Sequence, residues 1–110
     1  MAKLERTFTG DFDDVLVRLQ AGILEGSMSA SYEDGSDYRS GSFRCSVRVY
    51  ERYSWSGGNR VSLNVTLVGQ GRNLYLSAIT SGGSQAMFFK VNTWGEEAFL
   101  DTLLDVLQHL

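Results

Sequence analysis

The sequence predicts an α+β domain of two layers, an antiparallel sheet of five to six strands with two helices on one face, in the order β-α-β(4-5)-α. Three observations predict it. Two segments, one near each end, carry apolar residues at helical spacing. The stretch between them alternates apolar and polar residues with period two. Proline is absent, and the breaks between alternating runs are filled by Gly, Asn, Asp and Ser, which can make tight turns. At 110 residues the chain is read as one domain, 1–110, long enough for a single core.

The elements follow in order. Residues 3–9 read as a strand with Leu4, Arg6 and Phe8 on one face. Gly10 ends it. Asp11 is placed as a helix N-cap, with Asp13 and Asp14 in the first turn, where carboxylates suit unpaired N–H groups and the positive end of the dipole. Phe12, Val15, Leu16, Leu19, Ile23 and Leu24 form one buried stripe, and Gly26 is expected at C′. Met28, Ala30 and Tyr32 then alternate with serines. Glu33-Asp34-Gly35-Ser36-Asp37 reads as a turn, with the loop reaching Gly41.

The clearest alternation comes next. Phe43, Cys45, Val47 and Val49 are assigned to the core side, and Arg44, Ser46, Arg48, Tyr50 and Arg52 to solvent. Ser56-Gly57-Gly58-Asn59 is a hairpin turn. Val61, Leu63, Val65 and Leu67 are expected inside, Gly69-Gln70-Gly71 turns the chain, and Leu74, Leu76 and Ala78 oppose Tyr75, Ser77 and Ile79. After Ser81-Gly82-Gly83-Ser84 comes an apolar stretch over 86–91. Thr93 and Glu96 then make a capping box for a helix carrying Phe99, Leu100, Leu103, Leu104, Leu107 and Leu110. Both helices are expected on the Phe43/Val61/Leu74 face. The order resembles the TATA-binding-protein-like arrangement and the helix-grip domains, an analogy of fold that transfers no function.

Function enters mainly by exclusion. A net charge of -3 gives no global attraction to nucleic acid or anionic membrane, so nucleic acid is not the expected partner. No apolar run approaches the ~20 residues that span a bilayer. The polar start Met1-Ala2-Lys3-Leu4-Glu5-Arg6 lacks a signal-peptide core, so the expected location is cytoplasmic, and the single Cys45 suits a reducing compartment. No catalytic residues are assigned. Cys45 is expected to be buried and inert. His109 is the only histidine and sits in the last helical turn, where a cation is favoured. No His or Cys pair offers metal spacing, and no cofactor is expected. The acidic residues of the two first helical turns are explained by capping. Trp55 beside a turn and Trp94 in the last helix are read as packing residues.

Two constellations stand out. Arg44, Arg48 and Arg52 recur along one strand, and Arg60, Tyr50, Asn64 and Tyr75 are expected beside them on the uncovered face. Guanidinium forks and tyrosines suit phosphate or carboxylate ligands, but a protein interface accounts for them better, and a plain solvated sheet face is the first explanation. The second is the loop Ser81, Gly82, Gly83, Ser84 and Gln85, with Phe88 behind it. Consecutive glycines can present N–H groups to an anion, but the Lys-Ser/Thr pair of a P-loop is missing, and a hairpin turn explains the same residues.

Thr9-Gly10-Asp11-Phe12-Asp13, the run Arg44 through Tyr53, the hairpin Gly57 through Asn64, and Ser77 through Glu97 with Ser81-Gly82-Gly83-Ser84-Gln85-Ala86-Met87-Phe88-Phe89-Lys90 form a further set of stretches. Together they resemble a family of small functionally uncharacterised bacterial proteins, mainly from Firmicutes. The resemblance covers nearly the whole chain. It implies a bacterial cytosolic protein and no particular activity. The leading expectation is a non-enzymatic binding or self-assembly module that uses the uncovered sheet face, with a homo-oligomer as its concrete form. The alternative is a binder of a small apolar or anionic ligand, either on the Arg/Tyr face or in a helix-grip-like pocket lined by Phe43, Val47, Leu63, Leu76, Phe89, Phe99 and Leu103. An enzyme comes third.

Overall fold

The computed structural model describes residues 3–26, 29–54, 59–82, 103 and 106–108. The elements are β1 (Lys3–Thr9), α1 (Phe12–Glu25), β2 (Ser31–Ser40), β3 (Phe43–Ser54), β4 (Asn59–Gln70) and β5 (Asn73–Gly82). Leu103 and residues 106–108 are helical and belong to a second helix. The stretch over 86–91, Trp55, Trp94 and His109 lie outside the described residues.

The strands form one antiparallel sheet in the order β1-β5-β4-β3-β2. Consecutive strands β2 to β5 are hairpin neighbours. By contrast, β1 and β2 occupy opposite edges, so α1 must carry the chain across the sheet. Four inter-strand gaps at ~4.8 Å come to about 19 Å. The 14 residues of α1 rise about 21 Å at ~1.5 Å each, so the helix length matches the crossing.

Asp11 caps α1 by accepting the Asp14 N–H at 2.9 Å. Phe12, Val15, Leu19 and Ile23 are its buried stripe, with Leu16 and Leu24 half-buried. Gly26 does not take the left-handed conformation expected at C′. Its φ is -76°, and its N–H closes the last turn on the Gly22 carbonyl at 2.8 Å. Beneath α1, the Phe12 ring fills the space over Gly69, where an added Cβ would stand 2.8 Å from Phe12 Cδ2. The second helix meets α1 at Gly22, where a Cβ would fall 2.1 Å from a Val106 methyl. Only glycine permits that approach. The buried apolar residues of α1 and Leu103 share one core with Leu4 of β1, Val61, Leu63, Val65 and Leu67 of β4, and Leu74, Leu76 and Ala78 of β5.

The β2–β3 and β4–β5 hairpins are two-residue loops, Gly41-Ser42 and Gly71-Arg72. Gly41 and Gly71 have φ of 59° and 61°, and no described non-glycine residue has positive φ. Glycine first with positive φ is the arrangement of a type II′ turn, whose twist suits antiparallel strands. The second turn therefore falls one residue later than composition suggests, and Gly69 and Gln70 belong to β4.

Two expectations are corrected. The stretch Glu33 to Asp37 is strand, not turn. It pairs with β3 through a register shift between Tyr32 and Asp34. Turn-forming composition is overridden there by cross-strand partners: Asp37 lies opposite Ser46, and Gly35 fits under Arg48 and Tyr32 where a Cβ would meet the Tyr32 hydroxyl at 2.7 Å. The larger correction concerns β3. Arg44, Ser46, Arg48, Tyr50 and Arg52 pair with Gly69, Leu67, Val65, Leu63 and Val61. Directly paired residues point to the same side of a sheet. These β3 residues therefore lie on the α1 face, and Phe43, Cys45, Val47 and Val49 lie on the other. No described element packs on that second face, which is called the outer face below.

Candidate functional site

The predicted arginine and tyrosine platform is divided by the sheet. Arg44, Arg48, Tyr50 and Arg52 stand on the α1 face, whereas Arg60, Asn64 and Tyr75 stand on the outer face. The two groups do different things.

On the α1 face the arginines hold elements together. Arg48 grips Asp37 of β2 with both carboxylate oxygens, 2.9 and 3.1 Å from Nη2. Its Nη1 donates to the Val47 carbonyl at 2.9 Å. The buried Ser46 hydroxyl donates to the same Asp37 carboxylate. That hydroxyl first, and Arg48 second, hold the Asp37 carboxyl below the usual carboxylate range. Arg44 reaches the first turn of α1 and donates to both oxygens of Asp13, at 2.8 and 3.3 Å. Its guanidinium also lies 4.4 Å from the centroid of the Phe12 ring. Hydrogen bonding from Arg44 lowers the Asp13 pKa and raises that of Arg44.

Tyr50 is 1% exposed. Its hydroxyl donates to Gln20 of α1 at 3.3 Å, and its ring meets Tyr32 edge-on with centroids 5.9 Å apart. Burial pushes its pKa up to about 12. Burial also lowers the pKa of Arg52. These residues form a polar clamp between β2, β3 and α1, and Arg44, Arg48 and Tyr50 already have partners there.

The outer face has another character. On β3, β4 and β5 none of its described residues is buried, and none between 43 and 49, 62 and 70, or 73 and 81 is charged. Phe43, Cys45, Val47, Val49 and Val68 are half-buried, and Ile79 is 40% exposed. Tyr38 of β2 continues the patch, 61% exposed and edge-on to Phe43 at 6.2 Å. Asn64 and Thr66 bond to each other at 3.3 Å. Charge is confined to the outer strands and the rim, where Asp34 of β2, opposite Val49, accepts only from the Gly35 N–H at 2.8 Å among the described residues, and the other charges are paired. Arg60 bonds Glu51 at 2.8 Å and lies 3.7 Å from Glu33. Lys3 lies 3.6 Å from Glu5, which accepts from the Tyr75 hydroxyl at 2.6 Å. That hydrogen bond is the main reason that the Glu5 pKa is lowered and the Tyr75 pKa raised. Cys45, expected in the core, is half-buried on this outer face.

Of the predicted loop, Ser81 and Gly82 are the last residues of β5. Gly83, Ser84, Gln85 and Phe88 lie outside the described residues. The helix-grip lining does not come together as expected. Leu63, Leu76 and Leu103 are fully buried in the core, and Phe43 and Val47 are on the outer face; Phe89 and Phe99 are outside the described residues. Instead, a cleft of about 560 Å³ opens where β1, the start of α1 and the second helix meet, and a smaller one of about 260 Å³ lies on the other side of Gly10. Among the described residues no group of three or more His, Cys, Asp or Glu could hold a metal ion, and no helix is long and apolar enough to cross a membrane.

The apolar strip that β3 presents on the outer face is the feature that residue-by-residue reasoning missed. The signal for it was the hairpin itself. A connection with an even number of residues pairs odd-numbered positions with even-numbered ones, so Val61, Leu63 and Val65 had to share a side of the sheet with Arg52, Tyr50 and Arg48.

Fold and geometry together define a small α+β domain on a five-stranded antiparallel sheet with two chemically distinct faces. The chain belongs to DUF6054, a family of unknown function that matches residues 1–110. Comparison with curated proteins and with solved structures found no match.

Proposed function

We propose that this domain is a non-enzymatic self-assembly module in which two copies pack outer face to outer face, with both helices of each copy on the far side. The observation that carries the reading is the uncharged centre of the outer face, around Val47, Val49, Val68 and Ile79, flanked by the ion pairs Arg60–Glu51 and Lys3–Glu5. Its apolar part is the strip Phe43, Cys45, Val47 and Val49 of β3 with Tyr38 and Val68 beside it, and the middle strand adds the uncharged Ser62, Asn64 and Thr66; depletion of charge from the core of the patch is what marks a protein interface. Size supports it too. Five strands at ~4.8 Å, each about ten residues at ~3.3 Å, give a face of about 24 by 33 Å, roughly 800 Å². A stable interface needs about 800 Å² from each partner. A two-fold axis through the face would make the contact self-complementary, and twisted sheets pack this way about 30° from aligned.

The experiment is molecular mass against protein concentration, by light scattering after size exclusion, for the wild type and Val47→Glu. The expected result is a concentration-dependent dimer that the variant converts to monomer, with a melting temperature close to that of the wild type diluted below its dissociation constant. A wild-type monomer at every concentration would overturn the reading.

A further inference from the structure

We infer that the cleft between β1, α1 and the second helix binds an amphiphile with one anionic head group, a carboxylate or a phosphate monoester, on a short apolar chain. This site is separate from the outer face and does not depend on self-assembly.

Its floor is apolar. Phe8 projects from the α1 face of β1, Val15 from the buried stripe of α1 and Leu107 from the second helix, and all three line the cleft. Its volume of about 560 Å³ falls in the range of small-molecule sites, roughly 300–1,000 Å³. Two arginines stand in its wall, Arg6 on β1 and Arg72 in the β4–β5 turn.

Those two differ from the arginines of the clamp and the rim. Arg18, Arg44, Arg48 and Arg60 each contact a carboxylate within 4 Å. Among the described residues Arg6 donates only to the neighbouring Glu5 carbonyl, at 3.1 Å, and Arg72 has no carboxylate partner. The acids lining the same cleft are already engaged: Asp11 accepts the Asp14 N–H, and Asp14 is held by Arg18 at 3.1 Å. The wall therefore offers two guanidinium groups with donor capacity to spare, beside an apolar floor. A guanidinium binds carboxylate or phosphate oxygens through paired N–H donors, and burying the attached chain against Phe8, Val15 and Leu107 supplies the hydrophobic part. An uncharged amphiphile would leave the arginines unanswered, and a cationic one would be repelled by them.

The test uses the full chain with four probes: decanoate, decyl phosphate, decanol and decyltrimethylammonium. Each is added below its own aggregation threshold, with binding followed by calorimetry and melting temperature. Decanoate or decyl phosphate should bind saturably and raise the melting temperature by mass action, and the tighter of the two identifies the head group. Decanol should bind at least about tenfold more weakly, since a hydrogen bond to a charged group is worth roughly that factor or more. The Arg6→Ala/Arg72→Ala double variant alters two exposed side chains, so it should keep its circular dichroism and melting temperature while losing at least about tenfold in affinity for the anionic probes. Absence of binding by both anionic probes would overturn the inference. So would equal binding of decanol, or unchanged affinity in the folded double variant.

Discussion

One face of this sheet is held to α1 in two different ways. Over β4, β5 and β1 the contact is apolar: Leu63, Leu67 and Leu76 are fully buried. Over β3 and β2 the same face carries Arg44, Ser46, Arg48, Tyr50 and Asp37, joined by hydrogen bonds and ion pairs. The contrast teaches that a residue's polarity does not settle which side of a sheet it takes. An arginine can take the helix side where a carboxylate stands to meet it, on the helix as Asp13 meets Arg44 or on the next strand as Asp37 meets Arg48.

The two halves should respond to substitution on different scales. The apolar half should be the more sensitive. Leu67→Ala leaves a cavity at a fully buried position and is expected to cost about 2–5 kcal/mol. Chemical denaturation at fixed pH measures it, and a cost below about 1 kcal/mol would mean the core there is loosely packed. Next in size is Gly22→Ala. The new methyl must displace Val106, which stands 2.1 Å from its ideal position, at an expected cost of about 1–3 kcal/mol. Trimming Val106 to alanine in the same chain should return much of that loss.

The polar half should show smaller costs and a pH signature. Asp37→Ala removes the acceptor of Ser46 and the partner of Arg48. Asp37 itself is well exposed, with 62% of its side chain accessible, so solvent screening limits the cost to about 1 kcal/mol. The carboxyls of Asp37 and Asp13 both titrate below their ordinary values in the folded chain. A carboxylate with a depressed folded pKa contributes stability that is present above its unfolded pKa and lost as pH falls through the folded one. Wild-type stability should therefore decline below about pH 4, and Asp37→Ala should flatten part of that decline. Leu67→Ala should leave the slope unchanged. An identical acid profile in wild type and Asp37→Ala would show that the clamp contributes nothing through charge.

The same contrast explains what was legible in the sequence. Periodicity identified α1, its Asp11 cap, and the inward sets Val61 to Leu67 and Leu74 to Ala78, because each of those segments buries one apolar side. It failed on β3, where both sides are defensible by composition. Phe43 to Val49 are apolar, and the opposite side carries long side chains that can be buried only if partners exist. Those partners, Asp13, Gln20 and Asp37, come from distant positions in the chain. Local pattern cannot report them. It also failed on Glu33 to Asp37, whose strand pairing depends on β3 rather than on their own propensity. The cleft was invisible for the same reason, since Arg6, Val15, Arg72 and Leu107 meet only in three dimensions.

The smallest energetic change offers the sharpest comparison of the two faces. Cys45 lies on the outer face, half-buried, between Phe43 and Val47. If two copies meet on this face, its thiol is covered in the dimer and reachable in the monomer. A small maleimide should then label Cys45 more slowly as protein concentration rises through the dimer dissociation constant, with no change in melting temperature across that range beyond the mass-action rise of dimerisation. Val47→Glu should label at one rate throughout. A labelling rate independent of concentration, in a protein whose mass doubles, would place the contact elsewhere. The edge strand β2 would then be the next surface to examine, and the outer face would lose its role while the α1 face kept its own.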